Sequence, residues 1–287
     1  MELHITAART ARLSAILRED MGISSGLMNR LKWQQMLFVN GVSRHTDYMV
    51  QPGDVVTIPL SEAAPEYPAQ QGDFTVIYED EHFLAVDKPS GMLIHPSHSQ
   101  FTDTLANFVL GYYQKTGQSS AFHPITRLDR DTYGIVLLAK HAHAHALMQA
   151  APLSKTYHAL TFGGPASNSG IIDAPIARQE LPSLLRKIDP AGKPSVTEYA
   201  VLYRGEALCK LALKPITGRT HQLRLHCAHM GFPILGDPQY GSRQSQTLSH
   251  SLGFTTQQLC ARELTFIHPV SGKELTLQSH MDTPNPY

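Results

Sequence analysis

The sequence predicts an α+β protein in two unequal parts: a small N-terminal unit over residues 1–60 and one large strand-bearing domain over 74–287. Three observations predict it. Two helical patterns and two short alternating strands fill the first sixty residues. The segment SEAAPEYPAQQGD (Ser61–Asp73) is rich in Ala, Pro, Gln and acid, lacks an apolar period, and reads as a linker. Beyond it, alternating strands recur between a few helical stretches, with no repeat at a fixed period.

The elements follow in order. In ARLSAILREDMG, Leu13, Ile16 and Leu17 fall at helical spacing, and Gly22 supplies a stop. SGLMNRLKWQQM reads as a second helix. LFVNGVSR and VVTIPL read as strands, with NG and QPGD as turn signals. In the large domain FTVIYEDEHFLAVDKPSGMLIH reads as two strands joined by an acidic turn. TYHALTFGG, SVTEYAVLYRG and LCKLALKPITG read as further strands, and TLANFVLGYYQKTG, HAHAHALMQAAP and HQLRLHCAHMG as helices.

Composition narrows the class. At 42% hydrophobic and 17% charged residues, the 287-residue chain can bury a sizeable core. No apolar run is long enough to span a bilayer, and MELHITAART lacks the apolar centre of a signal peptide. Cys209, Cys227 and Cys260 are far apart with no CxxC pair, which points to reduced thiols in a cytoplasm and away from a zinc knuckle. Lys plus Arg equals Asp plus Glu at 24 each, so global charge gives a nucleic-acid binder no support. Screening limits charge to roughly 10 Å, however, and a local patch remains open.

Four polar segments stand in unusual surroundings: DKPSGMLIHP, RLDRDTYG, KTYHAL and TGRTHQLRLHCAHMGFPILGDPQYG. In ITRLDRDTYGIVLLAK a knot of opposite charges precedes an apolar run that reads as a buried strand. Such a knot is either a salt-bridged turn or an active site. In the last segment Leu223, Cys227 and Met230 share one face of a helix starting near Thr220, with Arg224 at the edge of that face. An arginine so placed calls for a carboxylate, and Asp129 or Asp131 is the candidate.

Two rival chemistries fit less well. His141 and His145 are spaced i, i+4, and His226 and His229 i, i+3, yet no HExxH accompanies them, and no metal is expected. DKPSG lacks the glycine-rich cradle of a phosphate loop.

The N-terminal unit resembles the small RNA-binding module first known from a small-subunit ribosomal protein, through GISSGLMNRLKW, FVNG and QPGDVVTI. That family usually follows its serine with a basic residue, where this chain has Ser25 and Gly26. Arg30 and Lys32 are the candidate phosphate contacts. From Phe74 to about Pro284 the chain resembles the RluA-type RNA pseudouridine synthases. The likeness rests on Arg127, Leu128, Asp129, Thr132 and Gly134, on GKPSVTEY, and on CARELTFIHPVSGKEL. Thr126 and Tyr133 depart from the usual pattern of a histidine and a small hydroxyl residue.

This resemblance implies a catalytic domain with a large, mainly antiparallel mixed sheet flanked by helices. It implies isomerisation of a uridine within RNA, a redox-neutral reaction that needs no cofactor. Asp129 would be nucleophile or base, Arg224 its charged partner, and Tyr157 a stacking and proton-transfer group. Leu223 would touch the base and Arg127 would hold the flipped nucleotide open. Arg219, Lys155 and Lys88 are the remaining candidate RNA contacts. The expected partner is RNA, ribosomal RNA first and transfer RNA second, acted on by a cytoplasmic monomer away from membranes. The alternative is a non-catalytic protein that binds ribosomal RNA.

Overall fold

The run YGIVLLA forms the strand Tyr133–Ala139 in the computed structural model, which describes residues 2–60, 67–97, 100–180, 183 and 185–285. Its side chains alternate between two cores. Ile135, Leu137 and Ala139 pack with Phe83 and Ala85, beneath Ala144 and Met148 of the helix Ala142–Ala150. Val136 and Leu138 pack on the other face with Leu84 and Val86, beneath Leu105, Val109 and Tyr113 of the helix Leu105–Lys115. A strand covered on both faces has no position for a polar side chain, hence the unbroken apolar run. Each such side chain contributes roughly 1.5–3 kcal/mol on burial, which fixes the register of the strand.

This strand lies inside a ten-stranded sheet. The order along the sheet is Ser169–Asp173, Val196–Arg204, Leu208–Pro215, Leu153–Phe162, Leu259–Ile267, Tyr133–Ala139, Phe83–Lys88 and Thr75–Glu79. Glu274–Gln278 and His123–Pro124 pair off this path. Neighbours run antiparallel except at one seam. There Tyr133 and Gly134 meet Cys260 and Ala261 in parallel. Gly134 has φ +104°, and a Cβ on it would sit 2.4 Å from the Ala261 carbonyl oxygen, so only glycine closes the seam. A third core covers the other half of the sheet, where Leu223 and Cys227 of the helix Gln222–His229 pack on Ala159, Leu211 and Leu259.

The N-terminal residues build a separate four-stranded sheet of Glu2–Thr6, Phe38–Val39, Val42–Ser43 and Val55–Pro59 around Leu13, Ile16, Leu31, Val56 and Ile58. Asn40 and Gly41 turn the hairpin with φ 49° and 77°, as the NG signal predicts. The helix Ser25–Trp33 is capped by Ser24, whose hydroxyl accepts from the Leu27 amide at 3.2 Å.

Several expectations need correction. The stretch from Ala11 is not one α-helix: a strand Ala11–Arg12 leads into a short α turn Leu13–Ala15 and a π-helical turn Ile16–Asp20. Of the expected linker, 61–66 lie outside the described residues. The remainder is docked: Tyr67 and Ala69 pack on the core under the helix Leu105–Lys115, and the Gln70 amide donates to the Asn107 carbonyl at 2.9 Å. Met230 is half-exposed and ends the helix Gln222–His229 instead of packing with Leu223 and Cys227.

The segment 279–285 runs back across the sheet. Ser279 Oγ and the His280 amide donate to Asp87. Lys210 Nζ donates to Asp282 at 2.9 Å and to Thr283 and Asn285 at 3.0 Å each. Among the described residues no helix is long and apolar enough to cross a membrane.

Candidate active site

Asp129 sits on the loop 126–132 that feeds the central strand at the seam. Four contacts fix this loop. The Thr126 hydroxyl accepts from the Leu137 amide at 2.9 Å, and the Thr132 hydroxyl accepts from Gln257 Nε2 at 2.6 Å. Ser90 Oγ donates to the Asp131 carbonyl at 2.9 Å, and Lys88 Nζ to the Arg130 carbonyl at 2.8 Å. The backbone carrying Asp129 is therefore tied to strand Phe83–Lys88 on one side and to Gln257 on the other.

Arg224 reaches the same loop from the opposite half of the sheet. Its Nε and Nη2 each donate to Asp237 at 2.8 Å, a bidentate pair. Nη2 also donates to Gln239 Oε1 at 2.7 Å, and Nη1 donates to Asp129 Oδ2 at 3.0 Å. Burial would lower the Arg224 pKa, but the bonds to Asp237 and Asp129 outweigh it and hold the guanidinium above its ordinary value. Asp131, the other candidate partner, instead accepts from its neighbour Arg130 at 3.0 Å.

Asp237 is the partner that sequence reasoning misses. It lies in GDPQYG, where an aspartate before proline reads as a turn former. It does form that turn, accepting from the Gln239 and Tyr240 amides at 2.9 and 3.2 Å, and it holds Arg224 as well. His221 is also missed. Its backbone is left-handed at φ 57°, which for a non-glycine residue costs on the order of 1–3 kcal/mol. Its Nε2 lies 3.9 Å from Asp129 Oδ2, and its Nδ1 lies 2.9 Å from the Tyr240 hydroxyl.

Two cavities of about 610 and 540 Å³ meet at Asp129. Arg127, Leu128, His221 and Arg224 line both. Tyr157, Lys155, Leu223 and Arg219 line the larger one. Burial, with Asp129 nearby, raises the Tyr157 phenol so that it keeps its proton. Burial and the neighbouring Arg127 lower Lys155. Arg127 and Arg219 are exposed at the rim.

The expectation for Lys88 is corrected. It is fully buried, and its ammonium donates to the carbonyls of Pro89 and Met92 at 2.9 Å and of Arg130 at 2.8 Å. All three donors are spent on backbone, so it presents nothing to a phosphate. Arg30 and Lys32 are exposed on the helix Ser25–Trp33 and line neither cavity.

The histidine pairs do other work. His226 is buried between Thr197 Oγ1 at 2.9 Å and the Ala174 carbonyl at 3.0 Å. His141 accepts from the Ala144 amide at 3.1 Å and caps its helix. Among the described residues no group of three or more His, Cys, Asp or Glu side chains is placed to hold a metal.

The chain as a whole is similar to known proteins. Residues 82–229 match the family described as RNA pseudouridylate synthase. The chain is 37% identical over 255 residues to the ribosomal large subunit pseudouridine synthase D of Pseudomonas aeruginosa, covering 85% of this chain and 79% of that one. It is 32% identical over 263 residues to an uncharacterized RNA pseudouridine synthase, YjbO, of Bacillus subtilis, covering 89% and 90%. Among solved structures, the human RNA pseudouridylate synthase domain containing 1 superposes with a TM-score of 0.59 at 23% identity, covering 76% of this chain and 93% of that one, a likeness of fold.

Proposed function

We propose, for a chain that belongs to the RNA pseudouridylate synthase family and isomerises uridine in RNA, that Asp129 carries the reaction and that ribosomal RNA is the substrate. The observation that carries this reading is the Arg224–Asp129 contact of 3.0 Å at the meeting of two cavities, with Tyr157 lining the larger. In the isomerisation the C1′–N1 bond breaks, the base turns, C5 bonds to C1′, and the C5 proton is exchanged for one on N1. No electrons are gained or lost. The carboxylate serves as nucleophile at the anomeric carbon or as base for elimination.

Arg224 keeps a positive charge 3.0 Å from the Asp129 carboxylate. Tyr157, with its hydroxyl protonated, offers a ring to the uracil. Leu223 lies one residue before Arg224 on the same helix and gives the base an apolar wall. Arg127, exposed at the rim, helps hold the flipped nucleotide open, a step that costs a few kcal/mol. Arg219 and Lys155 favour backbone phosphate.

The name of the Pseudomonas relative supports large-subunit ribosomal RNA as the first substrate, with transfer RNA second. The N-terminal unit adds an RNA contact through exposed Arg30 and Lys32.

The test is to map pseudouridines chemically in total RNA from cells lacking the protein, complemented with wild type or Asp129→Asn. One or more sites should vanish and return only with the wild type, at a loss of about a thousandfold or more for the variant. If Asp129→Asn restores the sites as well as wild type does, Asp129 is not the reacting group and the binding-only alternative gains.

A further inference from the structure

We propose that His221 is a positioning residue of this reaction: its Nε2–H, set by the Tyr240 hydroxyl on the far side of the ring, closes from 3.9 Å onto Asp129 Oδ2 beside Arg224 when substrate fills the cavities. The inference rests on the proposed role of Asp129, and the geometry carries it. The Arg186 amide donates to the Tyr240 oxygen at 3.0 Å, which leaves the Tyr240 O–H free to donate to His221 Nδ1 at 2.9 Å. An imidazole that accepts at Nδ1 carries its proton on Nε2. That nitrogen faces Asp129 Oδ2 at 3.9 Å, the oxygen that Arg224 already holds at 3.0 Å. Arg224 donates to that oxygen, His221 Nε2 faces it from beyond hydrogen-bond range, and among the described residues none donates to Oδ1. Oδ1 is then the oxygen presented to the sugar.

The backbone supports the assignment. His221 opens the helix Gln222–His229 from a left-handed conformation and makes no side-chain capping bond there. Strain of this kind persists where surrounding contacts impose it, and it gathers at sites of function. Here it directs the ring towards both cavities. The groups facing the imidazole are Asp129, Arg224, Arg186, Asp237 and Tyr240, and burial lowers its pKa, so the ring is neutral in the resting protein. The site thereby keeps a neutral donor within closing reach of Oδ2 in addition to the cation. It orients the carboxylate without adding a second positive charge that would blunt its reactivity.

Two measurements on the full chain decide. The first is a long-range 15N–1H NMR spectrum of the histidine rings, in wild type and in Tyr240→Phe. Wild-type His221 should show a protonated Nε2 and a bare Nδ1, and Tyr240→Phe should lose that preference. A protonated Nδ1 in the wild type overturns the proposal. The second is conversion of in vitro transcribed, unmodified large-subunit ribosomal RNA by wild type, His221→Asn and His221→Gln. Asparagine tolerates a left-handed backbone, so His221→Asn should fold with an unchanged Tm, yet its short amide cannot reach Asp129. Its kcat should fall by about 30-fold or more while KM stays within about twofold, and glutamine, which restores a distant N–H, should recover part of the loss. Equal kcat in wild type and His221→Asn, or a rate loss that tracks a loss of Tm, overturns the proposal. If the wild type leaves that RNA unmodified, the substrate reading fails by itself, and the NMR arm still decides for His221.

Discussion

Two buried cations hold the loop 126–132, and their charges are satisfied in opposite ways. Arg224 lies between two carboxylates, Asp237 and Asp129. Lys88 lies among three backbone carbonyls and, among the described residues, is hydrogen-bonded to no carboxylate. The pKa values separate accordingly: Arg224 is held above its ordinary value, while burial drags Lys88 down to about 7. A planar, permanently charged fork suits two carboxylates, and a compact ammonium with three donors suits three carbonyls. The contrast teaches a division of labour. Ion pairing aims the side chain of Asp129, and a carbonyl cage fixes the backbone beneath it.

The contrast breaks most visibly at Arg224. Arg224→Met would leave Asp237 buried without its partner, and the expected loss is about 3–5 kcal/mol in urea unfolding. A loss under about 1 kcal/mol would mean that Asp237 is solvated in some other way. Arg224→Lys should not rescue it, because an ammonium cannot span both oxygens of Asp237.

Lys88→Met ranks next, at about 1–3 kcal/mol near neutral pH, since three carbonyls lose a donor. The pH dependence sharpens the point. The folded value of about 7 lies below the ordinary lysine value of about 10.4, so between the two the unfolded chain binds a proton that the folded protein has shed. Stability from this group therefore rises with pH over that window, by up to about 1.4 kcal/mol per unit. Unfolding at pH 7, 8.5 and 10 should show the wild type gaining on Lys88→Met at each step. Parallel profiles would mean that the carbonyl cage holds Lys88 charged throughout. Smallest of all, Arg130→Ala breaks an ion pair whose arginine is mostly in water, and unfolding should move by no more than about 0.5 kcal/mol.

Legibility follows the range of the interaction. The strand Tyr133–Ala139 is readable because burial on both faces writes a continuous apolar run into neighbouring residues. The Arg224–Asp129 pair is readable in part, because an arginine beside an apolar helix face demands a carboxylate, although spacing alone cannot choose between Asp129 and Asp131. Asp237 stays hidden because its local role as a turn former accounts for it completely. Lys88 misleads for a related reason. Proline and glycine after it suggest an exposed turn, and nothing local reveals that the turn folds back over its ammonium. The π-helical turn Ile16–Asp20 shares its apolar spacing with an α-helix, and the hairpin Ile176–Arg178 with Arg186–Ile188 is too short to carry a period.

The return of residues 279–285 across the sheet bears on how the chain is made. Asp87 belongs to a central strand synthesised early, and Lys210 to one synthesised later, yet both take their partners from this still later segment. Residues 279–285 must emerge from the ribosome before either side chain is satisfied. Until then the large sheet carries a carboxylate and an ammonium with their intended neighbours missing. The domain therefore locks in a late step, after translation of the segment and not during it.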